Sequence, residues 1–162
     1  MSTMPTEAIA GATAFDPLYG SWRVHHRRLR LLLVACDEWR EFPGASTTRP
    51  VLDGHGNIED AWIGDPLGAY RAIAIRSFDI ATGDWRIWWL DERRQTIDPP
   101  VTGRLIHGSG EFVGADTLDD RDILVRFLWS GIGSPSPRWE QAFSADNGMS
   151  WETNWTMEFT RA

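Results

Sequence analysis

The sequence predicts an all-β fold, a single up-and-down antiparallel barrel of eight to ten strands, on three observations. Apolar and polar residues alternate with a period of two almost without break from Gly20 to Arg161, the pattern of half-buried strands. The gaps between these segments are short, rich in Gly, Pro and Asp, and hold no crossover helix, so neighbouring strands pair antiparallel. Ten tryptophans spread from Trp22 to Trp155 give nearly every segment a large side chain, which suits an interior filled by bulky groups or by a ligand. A meander this regular favours closure over a sandwich, because closure removes the exposed edges.

Residues 1–14 are small and polar, without periodicity, and read as a flexible tail before a barrel domain at 15–162. Phe15-Asp16-Pro17-Leu18-Tyr19 makes a short cap or helical turn ahead of the first strand, which opens at Gly20-Ser21-Trp22. Trp22, Val24 and His26 share one face of that strand. Leu29 to Ala35 is an apolar run of ambiguous type, a turn or a short helix over one barrel mouth. The second strand begins at Glu38 to Phe42, is interrupted near Gly44 and resumes to Pro50. Asp53-Gly54-His55-Gly56 is a tight hairpin turn, since both glycines tolerate positive φ. Further strands are predicted at 57–63, 69–78, 85–91, 102–107, 111–117, 122–130, 138–144 and 151–160. Between 144 and 151 the order Ser-x-Asp-x-Gly-x-x-Trp marks a hairpin whose Asp146 accepts turn amides and whose Gly148 supplies the left-handed residue. The propellers that use this hairpin need several blades, far more chain than this, so it reads as a turn stabiliser.

Composition narrows function mostly by exclusion. A net charge of −7 argues against nucleic acid as a partner, and in the basic run His25 to Arg30 adjacent side chains point to opposite strand faces. Every basic side chain is arginine, which removes Schiff-base and phosphate-loop lysine chemistry. Cys36 is the sole cysteine, so no disulfide framework or sulfur-based metal cage is expected. No apolar run reaches the roughly 18 residues of a membrane span, and no secretory signal is evident, so a cytoplasmic protein is expected. There is no phosphate loop, nucleophile elbow or dinucleotide fingerprint. No metal and no cofactor is expected, although a single axial haem histidine, His26 or His107, stays open.

Gly20-Ser21-Trp22 with Arg161 after the last strand resembles the signature of the lipocalin or calycin superfamily. There, a first-strand tryptophan packs under a C-terminal arginine and closes one barrel end. Asp37-Glu38-Trp39-Arg40-Glu41-Phe42, Gly56-Asn57-Ile58-Glu59, Asp98-Pro99-Pro100-Val101, Arg138-Trp139-Glu140-Gln141-Ala142-Phe143 and Trp151-Glu152-Thr153-Asn154-Trp155 further resemble a bacterial lipocalin-like domain family of unknown function. The resemblance spans about residues 15–161 and implies the fold; it carries no activity with it. Independently of it, period two sets Trp155, Met157, Phe159 and Arg161 on one face, where Arg161 needs a partner and the Trp22 ring supplies one by cation–π contact.

Function in a barrel lives in polar residues that share a face with apolar ones. His26 lies on the Trp22 face and offers an imidazole for ligand binding or proton transfer. On the second strand either Trp39 and Glu41 or Arg40 and Phe42 turn inwards, and the first set is the one expected inside. Tyr70 and Arg76 accompany the small Ala72 and Ala74, Trp89 accompanies Trp85 and Ile87, and Gln141 accompanies Trp139 and Phe143. The expected ligand-binding set is His26, Trp39, Tyr70, Arg76, Trp89, Gln141 and Trp155. The expected ligand is a small apolar or aromatic molecule, with neither nucleic acid nor membrane as partner and with homodimerisation open. The alternative is a cofactor-independent isomerase, cyclase or lyase in which His26 works with Glu41 or Glu59.

Overall fold

Alternating side chains can leave water on one face only if the sheet has an inside, and here the sheet closes completely. The structure, a computed structural model, describes residues 11–162. Ten antiparallel strands run in chain order: β1 (Gly20–Leu29), β2 (Trp39–Val51), β3 (Gly56–Ile63), β4 (Tyr70–Phe78), β5 (Trp85–Asp91), β6 (Val101–Ile106), β7 (Ser109–Leu118), β8 (Arg121–Ser130), β9 (Arg138–Ser144) and β10 (Glu152–Arg161). Each pairs with its sequence neighbours, and β10 pairs with β1 to complete an up-and-down barrel, consistent with a lipocalin-like fold. No helix of the described residues is long and apolar enough to cross a membrane.

The inward positions on β1 are Trp22, Val24 and His26, and on β5 they are Trp85, Ile87 and Trp89. Trp129, Trp139 and Trp155 also face inwards, whereas Trp39, Trp62, Trp88 and Trp151 do not belong to the buried core. The expected break in the second strand near Gly44 is not there, since β2 runs unbroken through it. Gly44 sits directly beneath the His26 imidazole, and a Cβ would lie 2.8 Å from the Trp62 carbonyl oxygen as well. Glycine here answers a close approach across the sheet and does not end the strand. The ambiguous run after β1 forms a loop without helix, Leu33 and Ala35 both taking positive φ.

The barrel has a sealed end and an open one. A short 3-10 helix, Asp16–Leu18, lies across the sealed end and drives Phe15 and Leu18, both 0% exposed, into the interior. Phe15 meets Trp85 edge-on at 4.9 Å and lies 6.1 Å from Trp129 and 6.2 Å from Phe112. Residues 11–14, expected within the flexible tail, are packed: Gly11 accepts a 3.0 Å hydrogen bond from Trp85 Nε1, and Ala12 and Ala14 pack against the core. Small residues carry no periodic signal, yet their size is what lets the chain lie flat on Phe78. The remainder of that expected tail, residues 1–10, lies outside the described residues. Arg161 spans the same end: its guanidinium lies 3.8 Å over the Trp22 ring and donates to the carbonyls of Tyr19 (2.6 Å) and Pro17 (2.9 Å).

The opposite end is looser. β5 and β6 share only three residue pairs, Trp85–Gly103 to Ile87–Val101, so beyond Ile87 this ladder parts and β5 continues to Asp91 paired with β4 only. The loops after β1 and β5 surround this end, together with the β7–β8 turn.

Candidate functional site

Across the middle of the barrel the strand registers align one inward row. Arg40 on β2 faces Arg28 on β1, Arg28 faces Trp155 on β10, Trp155 faces Gln141 on β9, and Gln141 faces Phe127 on β8. Above this row, toward the open end, lies a cavity of about 360 Å³. Trp89, Phe127, Trp139, Phe143 and Trp155 wall it, with Arg28, Arg40, Gln141 and Asn154 as polar fixtures. Trp139 and Trp89 meet Trp155 edge-on at 5.1 and 5.6 Å, so the three indoles hold one another in fixed orientation. A second void of about 20 Å³ lies deeper, against Glu59, Arg76 and Trp129.

One irregularity shapes the site. The β9–β10 register shifts between Thr153 and Trp155, a bulge that leaves Asn154 without a cross-strand partner. Because of it, two consecutive residues, Asn154 and Trp155, both reach the cavity, which strict alternation forbids. Gln141 Nε2 donates to Asn154 Oδ1 at 2.8 Å, while Asn154 Nδ2 is buried without a hydrogen-bond partner.

The structure distributes the expected site residues unevenly. His26 lies inside at 2% exposure, but behind the cavity wall: it stacks on Phe42 at 5.0 Å and its Nδ1 accepts from Trp155 Nε1 at 3.0 Å. Burial, with the nearby Arg28 and His25 charges, pushes its pKa down to about 3, Asp65 opposing. Glu41 and Trp39, expected inside, stand on the outer face. Glu41 pairs there with His25 at 3.2 Å and Arg27 at 3.4 Å, and Arg27 covers the Trp39 ring at 4.9 Å. Register decides this, because His26 opposite Phe42 commits the even-numbered residues of β2, Arg40 included, to the interior. Glu59, 4% exposed, is bound to Arg76, which also donates to Asn57 Oδ1 at 2.8 Å. Tyr70 is buried and backs the mouth, its hydroxyl accepting from Arg28 at 2.7 Å and its ring lying 3.7 Å under the Arg93 guanidinium. Trp89, Gln141 and Trp155 line the cavity itself.

Arg28, Asp65 and Asn154 were not among the expected site residues, and Arg40 stood on the face of the second strand that was not the one expected inside. Arg28 was within reach, since one more step of the Trp22–Val24–His26 alternation places it inside. Asp65, on the β3–β4 loop and 8% exposed, accepts from Arg28 at 3.4 Å and Arg40 at 3.2 Å. The Asp146 hairpin forms as expected of a turn: its carboxylate accepts from the Ser150 amide and the Ser144 hydroxyl, both at 2.8 Å, and from the Ser150 hydroxyl. Those bonds pull its pKa down to about 2. His55 and His107 are exposed in turns, and among the described residues no group of three or more His, Cys, Asp or Glu could hold a metal ion. No protein-family model matches the chain, and no match is found among functionally characterised proteins.

Proposed function

We propose that the chain is a cytoplasmic binding protein, one of the bacterial lipocalin-like domains it resembles, which holds a small apolar or aromatic molecule inside its barrel. The observation that carries this reading is the 360 Å³ cavity at the unsealed end, walled by indole and phenyl rings that brace one another. That volume lies within the range of ligand sites, about 300–1,000 Å³, and its aromatic wall is joined by charged and polar side chains that can orient a guest. The N-terminal plug supports it too: among the described residues Phe15 and Leu18 stopper the other end, so the cavity opens away from them.

Intrinsic tryptophan fluorescence tests the proposal, because Trp89, Trp139 and Trp155 border the space a ligand would fill. A panel of aromatic and aliphatic metabolites is titrated, with melting temperature as second readout. A binder at 100 times its Kd adds about 2.7 kcal/mol of stability. Unchanged emission and melting across the panel would overturn the reading. The enzymatic alternative, an isomerase, cyclase or lyase, draws no support from the site. Its histidine is stacked, hydrogen-bonded and held neutral behind Trp155, Glu41 faces away, and Glu59 is bound to Arg76.

A further inference from the structure

The register sets two guanidiniums side by side on the cavity wall: Arg28 and Arg40 are direct cross-strand partners on the inward face. Like charges in that position repel, and in a half-buried site they are weakly screened. Their common counter-ion is the single carboxylate of Asp65, so this cluster carries one more positive charge than negative. Arg28 spends its remaining contacts on the Tyr70 hydroxyl and on the face of Trp155, 3.8 Å away. Arg40 Nε is buried without a hydrogen-bond partner. Asn154 adds a second unpartnered buried donor on the same cavity, delivered there by the bulge. Buried donors left unmatched are costly, so a ligand that accepts from them gains affinity. A cluster with excess positive charge and unmatched donors, gathered on one side of the cavity, describes half of a hydrogen-bonded pair.

We infer that the cavity takes an amphiphile bearing an oxyanion (carboxylate, sulfonate or phosphate), its charged group held by Arg40 and Arg28 with Asn154 donating, its apolar body against Trp139 and Phe127. This rests on the binding reading above and names the ligand class. Three carboxylates stand on the other lip, and of these Asp116 accepts only from the Thr117 amide and is not ion-paired, while the other two have arginine partners. Asp91 is held by Arg93 and by Trp89 Nε1, and Asp98 is paired with Arg94 while burial and the neighbouring Asp116 and Asp91 raise its pKa. The guanidinium pair stands against Trp155 and the aromatic wall, so a ligand that meets both has charge at one end and carbon at the other.

Two fluorescent probes separate this inference from the reading it builds on: anilinonaphthalene sulfonate and its uncharged parent, phenylnaphthylamine. Both are titrated into the wild-type protein at low and at high salt. The sulfonate binds at least about tenfold tighter than the parent, and added salt erodes that advantage while leaving the parent unaffected. In Arg40→Met the preference collapses to about twofold or less with the parent's affinity retained, which also shows that the variant is folded. In Asp65→Asn, with the shared counter-ion gone, the preference grows. Equal affinity of the two probes for the wild-type protein, or a preference untouched in Arg40→Met, overturns the oxyanion site and leaves the binding barrel standing. Failure of both probes to bind overturns the two together.

Discussion

Glu59→Gln would expose how much of the sealed end depends on a buried ion pair. Arg76 and Glu59 are 2% and 4% exposed, and their partnership is closed apart from Asn57, whose Oδ1 accepts from Arg76. Neutralising Glu59 leaves a guanidinium in the core without its counter-charge, a change that costs about 3–5 kcal/mol in buried pairs. Arg76 lies 5.2 Å from the Phe15 ring centre and 5.3 Å from that of Trp129, and such contacts return about 0.5–2 kcal/mol, which places the expected loss near 3. For a domain of this size each kcal/mol moves the melting temperature by about 2–4 °C, so the drop is about 6–12 °C. The double change Glu59→Leu with Arg76→Met removes both charges and recovers part of this, leaving a loss of about 1–3 kcal/mol for the Asn57 carbonyl left unbonded. Calorimetry or urea unfolding of the wild type, Glu59→Leu, Arg76→Met and the double variant closes the cycle, with Glu59→Gln measured beside them. A single-variant loss below about 1 kcal/mol, or a double variant whose loss is the sum of the two singles, would refute the account of a mutually dependent pair.

Other expectations follow from neighbouring features. Phe15→Ala removes the plug ring and destabilises by about 3–5 kcal/mol, read by thermal melting, with blue-shifted emission lost as water reaches Trp85. Stability falls on acidification through His26: its pKa drops from 6.5 to about 3 on folding, so the unfolded chain binds the extra proton between those values, and stability present above pH 6.5 is lost as pH falls toward 3. The slope is about 1.4 kcal/mol per pH unit, and His26→Phe should flatten it; an unchanged slope sinks the assignment. Arg161→Lys does not restore what Arg161→Ala loses, about 1–3 kcal/mol by chemical denaturation, because one ammonium cannot both cover Trp22 and reach the Tyr19 and Pro17 carbonyls.

The barrel was legible because its evidence is redundant: ten alternating segments and their turns all point to one closed meander, and a boundary error of a residue or two leaves the topology unchanged. The site was less so, because a cavity wall depends on single-residue register. On β2 the sequence offers two faces of nearly equal merit, Trp39 with Glu41 or Arg40 with Phe42, and only the cross-strand fit of His26 over Gly44 selects between them. Placing an arginine inside is locally unfavourable, and the compensation comes from Asp65, which is 25 residues away along the chain. Asn154 shows a different limit. Alternation puts Thr153 beside Trp155, whereas the bulge turns Asn154 to the cavity, and nothing in the local sequence marks where a strand will gain a residue. His26 was placed correctly as to direction, but which ring it would stack on depends on the neighbouring strands.

The closing seam of the barrel joins Trp22 to Arg161, the first strand to the tenth. Contacts that far apart in sequence carry a large loop-closure entropy and form late, so folding should be slow for a domain of this size. During synthesis β1 leaves the ribosome first and waits with one edge unpaired until β10 follows it. Through that interval an exposed strand bearing Trp22 and Val24 is a template for another chain. The alternating arginines and histidines along β1, Arg23, His25 and Arg27 on its outer side, give that waiting edge a charged flank. In the finished molecule His25 and Arg27 on that flank are taken up by Glu41 of the neighbouring strand, so the charge that borders the edge while it waits is paired once β2 docks.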